Sequence, residues 1–227
     1  NPEMVKYGLS KGALMLPGTA TGGEMEQAMA MGLEAVKFFP AEQNGGLAKL
    51  KALAGPYKHL KWLPTGGING ENLADYLSLP QVVACGGSWM VKKELIDGAR
   101  WDEITGLCKE AVRRMLGFSL AHVGVNCAGE GEARQTAALI CSFFGCVPRE
   151  GRSSVFAGEA VECVKGHGRG KNGHIAIGTN SIDRAVYQMG LRGVEFDEST
   201  RKPGAVYLKH EIGGFAVHLV EKNRRLL

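Results

Sequence analysis

Four short apolar runs, each closed by Pro or Gly, recur through the first half of the chain. They are Leu14-Met15-Leu16-Pro17-Gly18, Ala35-Val36-Lys37-Phe38-Phe39-Pro40, Trp62-Leu63-Pro64-Thr65-Gly66-Gly67 and Val82-Val83-Ala84-Cys85-Gly86-Gly87-Ser88. Continuous apolar runs of this length suit parallel strands buried on both faces. Helical patterns stand between them at 24–31, 47–54 and 71–79, the last preceded by Asn69 as a cap, and 101–116 follows as a longer amphipathic helix. Repeated βα units predict a parallel sheet, either doubly wound or a (β/α)8 barrel.

After Gly117 the pattern changes. A strand at 120–126, a helix at 132–144 and short strands near 147–150, 153–157 and 160–165 lead into a Gly- and Lys-rich link, 166–173. The order then repeats, with a strand at 174–180, a helix at 182–191 and strands near 194–196, 205–210 and 215–221. This is β-α-β-β-β twice, and it divides the chain into 1–116 and 117–227. The repeat is visible in residues: Ala121-His122-Val123-Gly124 and Gly173-His174-Ile175-Ala176 place His at the same strand position, 52 residues apart. Val161-Glu162-Cys163-Val164 and Val217-His218-Leu219-Val220 close the two units. Duplication therefore puts His122, Glu162, His174 and His218 at equivalent places. Alternation predicts Leu120, His122 and Gly124 on one side of their strand, with Ala121, Val123 and Val125 on the other. His167 and His210 read as loop or edge residues.

Composition narrows the function classes. The chain has 227 residues, 44% hydrophobic and 22% charged, the balance of a soluble globular protein. Its 33 glycines have no fixed period, which excludes collagen and low-complexity disorder. No apolar run is long enough for a signal peptide or a membrane span. The net charge is +4 and its Lys and Arg are scattered among acids, too weak a footprint for nucleic acid. Six cysteines without a CxxC pair read as reduced, mostly buried thiols in a cytoplasmic protein. The first residue is Asn, so a natural start upstream is expected.

Lys37 is the first residue with a chemical argument. It interrupts an apolar strand, and Lys is almost never fully buried without a partner. Desolvation disfavours the ammonium and frees the amine as a nucleophile for a carbonyl carbon. The same position equally fits a lysine that snorkels from an edge strand or pairs with a carboxylate. Thr65-Gly66-Gly67 and Gly86-Gly87-Ser88 follow the next two strands, where Gly lets backbone N–H groups close around an anion, as in the phosphate-holding loops of (β/α)8 barrels. A tight turn explains a double glycine as well. Together with the lysine two units earlier, these loops point to a phosphorylated keto substrate.

The segments Lys37-Phe38-Phe39-Pro40-Ala41-Glu42 with Asn44-Gly45-Gly46, Pro64-Thr65-Gly66-Gly67-Ile68 and Gly86-Gly87-Ser88-Trp89 closely resemble the 2-keto-3-deoxy-6-phosphogluconate / 4-hydroxy-2-oxoglutarate aldolase family. The resemblance spans residues 1–115. It implies the C-terminal half of a (β/α)8 TIM barrel, with Lys37 as the Schiff-base lysine, Gly66, Gly67, Gly87 and Ser88 around the phosphate, and Thr65 and Phe39 against substrate. It implies a keto-acid substrate cleaved to pyruvate with glyceraldehyde 3-phosphate or glyoxylate, no cofactor, and a homo-oligomer, commonly a trimer. The family's proton-moving Glu and substrate-holding Arg belong to the first half of the barrel, which has no counterpart here. The expectation is therefore a fragment, or a chain that pairs with another copy, with little or no aldolase activity by itself.

Residues 118–224 resemble the vicinal oxygen chelate superfamily, which includes glyoxalase I and extradiol dioxygenases. That resemblance implies two βαβββ modules around a metal, with ligands on the first and last strand of each. The matching positions are His122, Glu162, His174 and His218, a set that suits Zn²⁺, Ni²⁺, Fe²⁺ or Mn²⁺. Glyoxalase-type isomerisation is the alternative function, and a non-catalytic module that senses a ligand or holds subunits together is a third class.

Overall fold

In the computed structural model, which describes residues 1–222, the first half builds a three-stranded parallel sheet in the order β1-β2-β3. Its elements are α1 (Pro2–Ser10), β1 (Gly18–Thr19), α2 (Gly22–Ala30), β2 (Ala35–Phe38), α3 (Gly46–Ala54), β3 (Lys61–Pro64), α4 (Leu73–Leu77), α5 (Lys93–Asp97) and α6 (Trp101–Leu116). Local signals set the helix starts. Thr21 and Glu24 form a capping box at α2, and the Asn69 side chain accepts from the backbone N–H of Glu71 and Asn72 ahead of α4. Val36, Phe38 and Trp62 are fully buried against Met25 of α2, Leu50 of α3 and Tyr76 of α4.

Two expectations are corrected here. The strands are not buried on both faces: β2 alternates, with Val36 and Phe38 buried and Ala35 and Lys37 half-exposed, because the helices' apolar side chains gather on one face only. Of the first apolar run only Gly18 enters a strand, and Leu14 is 100% exposed. The fourth run forms no strand. It meets β3 through single parallel bridges, Trp62 with Val82 and Thr65 with Gly86, and Val83 is left exposed. The helices α1 and α5 have no counterpart in the sequence reading.

From Leu116 onward the chain forms a second unit. It comprises β4 (Ser119–Asn126), α7 (Glu130–Phe144), β5 (Pro148–Glu150), β6 (Ser154–Ala157), β7 (Val161–Val164), β8 (His174–Thr179), α8 (Ile182–Gly190), β9 (Phe196–Lys202), β10 (Ala205–Leu208) and β11 (Ala216–Glu221). The eight strands make one sheet in the order β5-β6-β7-β4-β8-β11-β10-β9. That order is mirrored about the β4–β8 pair. The first strand of each module runs parallel to its own last strand and antiparallel to the other module's first strand. Ala133, Ala137 and Cys141 of α7 pack on Val155, Ala157 and Cys163, and the Leu116 carbonyl accepts from the buried Thr179 hydroxyl at 2.8 Å.

Two local differences have physical causes. A register shift lies between Leu120 and His122, which pair with Ile177 and Ala176. Adjacent partners face opposite sides, so this bulge puts Leu120 on the face away from His122, against the alternation expected from the sequence. The strand expected at 194–196 runs instead over Phe196–Lys202, an edge strand of mostly polar residues that leaves no apolar pattern to read. All six cysteines are free; Cys127, Cys141 and Cys163 are buried, Cys85 and Cys146 half-buried and Cys108 exposed. No helix among the described residues is long and apolar enough to cross a membrane.

Leu219, on β11 beside His218, is 1% exposed. Leu219→Ala is expected to cost the second unit about 2–5 kcal/mol by loss of transfer energy and cavity formation. Urea denaturation followed by circular dichroism checks this.

Candidate functional site

Each unit carries its own candidate site. In the first, parallel pairing aligns the ends of β2 and β3: Lys37 stands opposite Leu63 and Phe38 opposite Pro64, and the Thr65 N–H donates to the Phe38 carbonyl at 3.0 Å. The Phe39 N–H donates to the Thr19 carbonyl at 3.0 Å, so Thr19, Phe39 and Thr65 continue three neighbouring strands at the same end of the sheet. Lys37 is half-buried on the face opposite Val36 and Phe38. Its Nζ lies 4.5 Å from the centre of the exposed Phe39 ring. Among the described residues no carboxylate pairs with Lys37, which removes the ion-pair reading and leaves the amine free on a half-open face.

The Thr65 hydroxyl is buried without a hydrogen-bond partner. Gly66 and Gly67 adopt φ of 97° and 80°, backbone that L side chains rarely take, and a Cβ on Gly67 would stand 2.5 Å from the Glu42 side chain. Gly87 lies against the Trp89 ring, and Ser88 is exposed. Glu42, which no sequence argument singled out, accepts a hydrogen bond from Tyr76. Burial together with that bond holds the Tyr76 phenol well above its ordinary range.

In the second unit, all four duplicated side chains meet on one face. His122 Nε2 lies 3.0 Å and His174 Nε2 3.1 Å from the same carboxylate oxygen, Glu162 Oε2, and the two imidazole nitrogens are 3.2 Å apart. His218 completes the group: nitrogens of His122, His174 and His218 all lie within 4.8 Å of one another. His174 and His218 are buried, and both ring nitrogens of His218 lack a hydrogen-bond partner. Burial, reinforced by His174 and His122, pushes the His218 imidazolium down to about 3, so the ring is neutral at pH 7. Burial also works against the Glu162 carboxylate. Hydrogen bonds from His122, His174 and Ser154 outweigh it and hold that carboxyl well below the usual range. His167 and His210 lie apart on exposed positions, as expected.

The sheet register explains the convergence. Gly124 pairs with both Glu162 and His174, and its dyad counterpart Ala176 pairs with both His218 and His122. Gly124 makes room: a Cβ there would stand 2.0 Å from the His174 ring. His122 and His174 each direct Nε2 at Glu162 Oε2, whereas His218 keeps two buried ring nitrogens without a partner among the described residues. A cation at the convergence would use the lone pairs of the three imidazoles and the carboxylate together, so the donor set fits a divalent metal.

Comparison with known proteins bears on the first unit. Residues 1–107 match the aldolase family of KDPG and KHG aldolases. The 2-dehydro-3-deoxy-phosphogluconate aldolase of Haemophilus influenzae is 48% identical over 112 residues, covering 49% of this chain and 53% of that protein. The KHG/KDPG aldolase of Escherichia coli K12 is 45% identical over 98 residues, covering 43% of this chain and 46% of that protein. A solved KDPG aldolase from Legionella pneumophila, with pyruvate captured at low pH as a covalent carbinolamine, is 44% identical over 42% of this chain and 47% of its own, with a TM-score of 0.42. The N-terminal half of the chain is thus similar to aldolases of the KDPG/KHG type, and the chain spans about half the length of the curated relatives it matches.

Gly124→Ala tests the packing of the second site. The added Cβ must displace the His174 ring, at a cost of about 1–3 kcal/mol, the usual range for overpacking. The expected result is a lower urea midpoint together with shifted His174 imidazole resonances; unchanged resonances would show that the ring does not sit over Gly124.

Proposed function

We propose that the first unit carries the imine-forming part of a class I aldolase site for 2-keto-3-deoxy-6-phosphogluconate, 4-hydroxy-2-oxoglutarate or both. The observation that supports it most directly is Lys37, an amine without a carboxylate partner among the described residues, at the end of a parallel strand and inside the segment that matches the aldolase family. In this reading the amine attacks the C2 carbonyl and water leaves. The protonated imine then draws the electrons of the C3–C4 bond, and cleavage leaves pyruvate as an enamine. Gly66, Gly67, Gly87 and Ser88 surround the phosphate, Phe39 flanks the substrate and the Thr65 hydroxyl meets a substrate oxygen. The reaction needs no metal or cofactor, and the working form is a homo-oligomer, a trimer by family resemblance. None of the described residues is assigned the proton transfers, so imine formation without efficient turnover is expected from these 227 residues.

Borohydride trapping with pyruvate, read by peptide mass spectrometry, checks both parts. Label is expected on Lys37 and is expected to vanish in Lys37→Met. Absence of label from the wild-type chain would sink the lysine assignment, and full turnover would overturn the expectation of incomplete catalysis.

For the second unit we infer a divalent metal centre on His122, Glu162, His174 and His218, in a domain of the vicinal-oxygen-chelate kind. The specific support is the buried His218 with two unpartnered nitrogens beside imidazoles that face each other. A bound ion would supply Lewis-acid polarisation of adjacent substrate oxygens. Among this chain's residues, Glu162 is the ligand able to exchange a proton, which favours a glyoxalase-type isomerisation over a sensing or assembly role. Chain purified without added metal is expected to hold close to one equivalent of a divalent ion and to lose thermal stability with chelator. His174→Ala is expected to abolish both the metal content and any dicarbonyl turnover. A metal-free wild type indifferent to chelator would refute this reading.

A further inference from the structure

The duplicated rows that carry the metal-ligand set extend past it on both sides, and there the two modules differ. Across one row the paired residues are Arg149, Phe156, Glu162, Gly124 and His174; across its dyad mate they are Asp197, Tyr207, His218, Ala176 and His122. The aromatic positions agree. Phe156 meets the His122 ring edge-on at 5.6 Å, and Tyr207 stacks on His218 at 4.5 Å. The outer positions do not: one module has Arg149 where the other has Asp197.

The arginines at the two ends are held differently. Asp197 pairs with Arg169 at 3.1 Å, and that guanidinium lies 5.1 Å above the Tyr207 ring, so this arginine is neutralised, while Lys202 also lies in electrostatic range of His218. Arg149 places its guanidinium 4.7 Å from the Phe156 ring centre, and among the described residues it has no carboxylate partner. Its neighbour Glu150 is already committed to Arg134 and Lys165. The two ends therefore differ in their arginines, Arg169 being paired with Asp197 and Arg149 unpaired, and an aromatic ring separates the Arg149 guanidinium from His122.

We propose that the second unit's site takes a small carboxylic acid whose oxygen donors meet the metal centre while its acid group turns toward Arg149, which selects acids and fixes their direction. This rests on the metal-centre reading above. A planar guanidinium on an aromatic face is pre-organised for a carboxylate, and its position beyond Phe156 suits an acid group remote from the chelating atoms.

The test uses the full chain loaded with Co²⁺ and two hydroxamates of equal length, succinic monohydroxamate and butyrohydroxamate, which differ in a distal carboxylate. Binding is read from the cobalt visible spectrum. The acid is expected to bind on the order of tenfold more tightly than its neutral partner, as a charge-assisted hydrogen bond allows. Arg149→Gln should erase that ratio by weakening the acid alone, Arg149→Lys should restore part of it, and Arg169→Gln should leave it in place. Equal affinities in the wild type, or a ratio that survives Arg149→Gln, would overturn the proposal while leaving the metal centre standing. Failure of the wild type to bind Co²⁺ would remove the metal centre and this proposal with it.

Discussion

The antiparallel pairing of β4 with β8 is the contact on which the second unit depends. It joins the modules and sets which residues of both share a face. With Gly124 opposite His174 and His122 opposite Ala176, two histidines from strands far apart in sequence are brought to one spot. The flanking strands β7 and β11 then add Glu162 and His218 by parallel pairing with those same small residues. Side-chain direction reverses with each residue, so a slip of one position would send one module's converging polar side chains to the helix-covered face. The bulge at Leu120 confines the irregular part of the strand to its start and leaves the part from His122 onward in regular register.

Much of this was legible in the residues because duplication writes the same information twice. The equivalence of His122 with His174, and of Glu162 with His218, needs only the repeat, and the β-α-β-β-β order follows from periodicity. Registers are another matter. They arise from hydrogen bonding between strands, so neither the bulge nor the role of Gly124 has a local signal. The contrast between Arg149 and Asp197 was equally hidden, since both are ordinary polar residues until the pairing shows that they occupy the same place. Gly66 and Gly67 were readable for the reverse reason: positive φ is a local demand that glycine meets.

The first unit shows where apolar patterning misleads. The run around Lys37 looks continuously apolar, yet only Val36 and Phe38 reach the core; the other face of β2 is half-open. A lysine there keeps access to solvent along part of its length, so its presence in the strand carries no burial penalty of the kind an enclosed ammonium would pay. What distinguishes it chemically is the lack, among the described residues, of a carboxylate partner beside parallel strand ends where Thr19, Phe39 and Thr65 line up. The shape of that end is set by backbone pairing, and the lysine puts an amine on it.

Energetic comparison within the second sheet separates structural from functional demands. On the face covered by helices, Val155, Ala157, Cys163, Val206 and Leu219 fill space with apolar atoms and need no partners. On the other face, the equivalent area is given to three imidazoles, a carboxylate and a glycine in mid-strand. Each of these is unfavourable by itself. A buried ring nitrogen without a partner costs about 1–3 kcal/mol, and glycine inside a strand costs roughly 0.5–1 kcal/mol relative to alanine. Apolar residues of matching volume would make a more stable sheet, as replacements of buried polar sets often do. A fold that keeps this arrangement at both ends of an internal repeat is spending stability on the face where polar atoms converge. The cost falls on His218, whose two buried ring nitrogens have no partner among the described residues, whereas Arg149 on the exposed edge strand keeps its hydration.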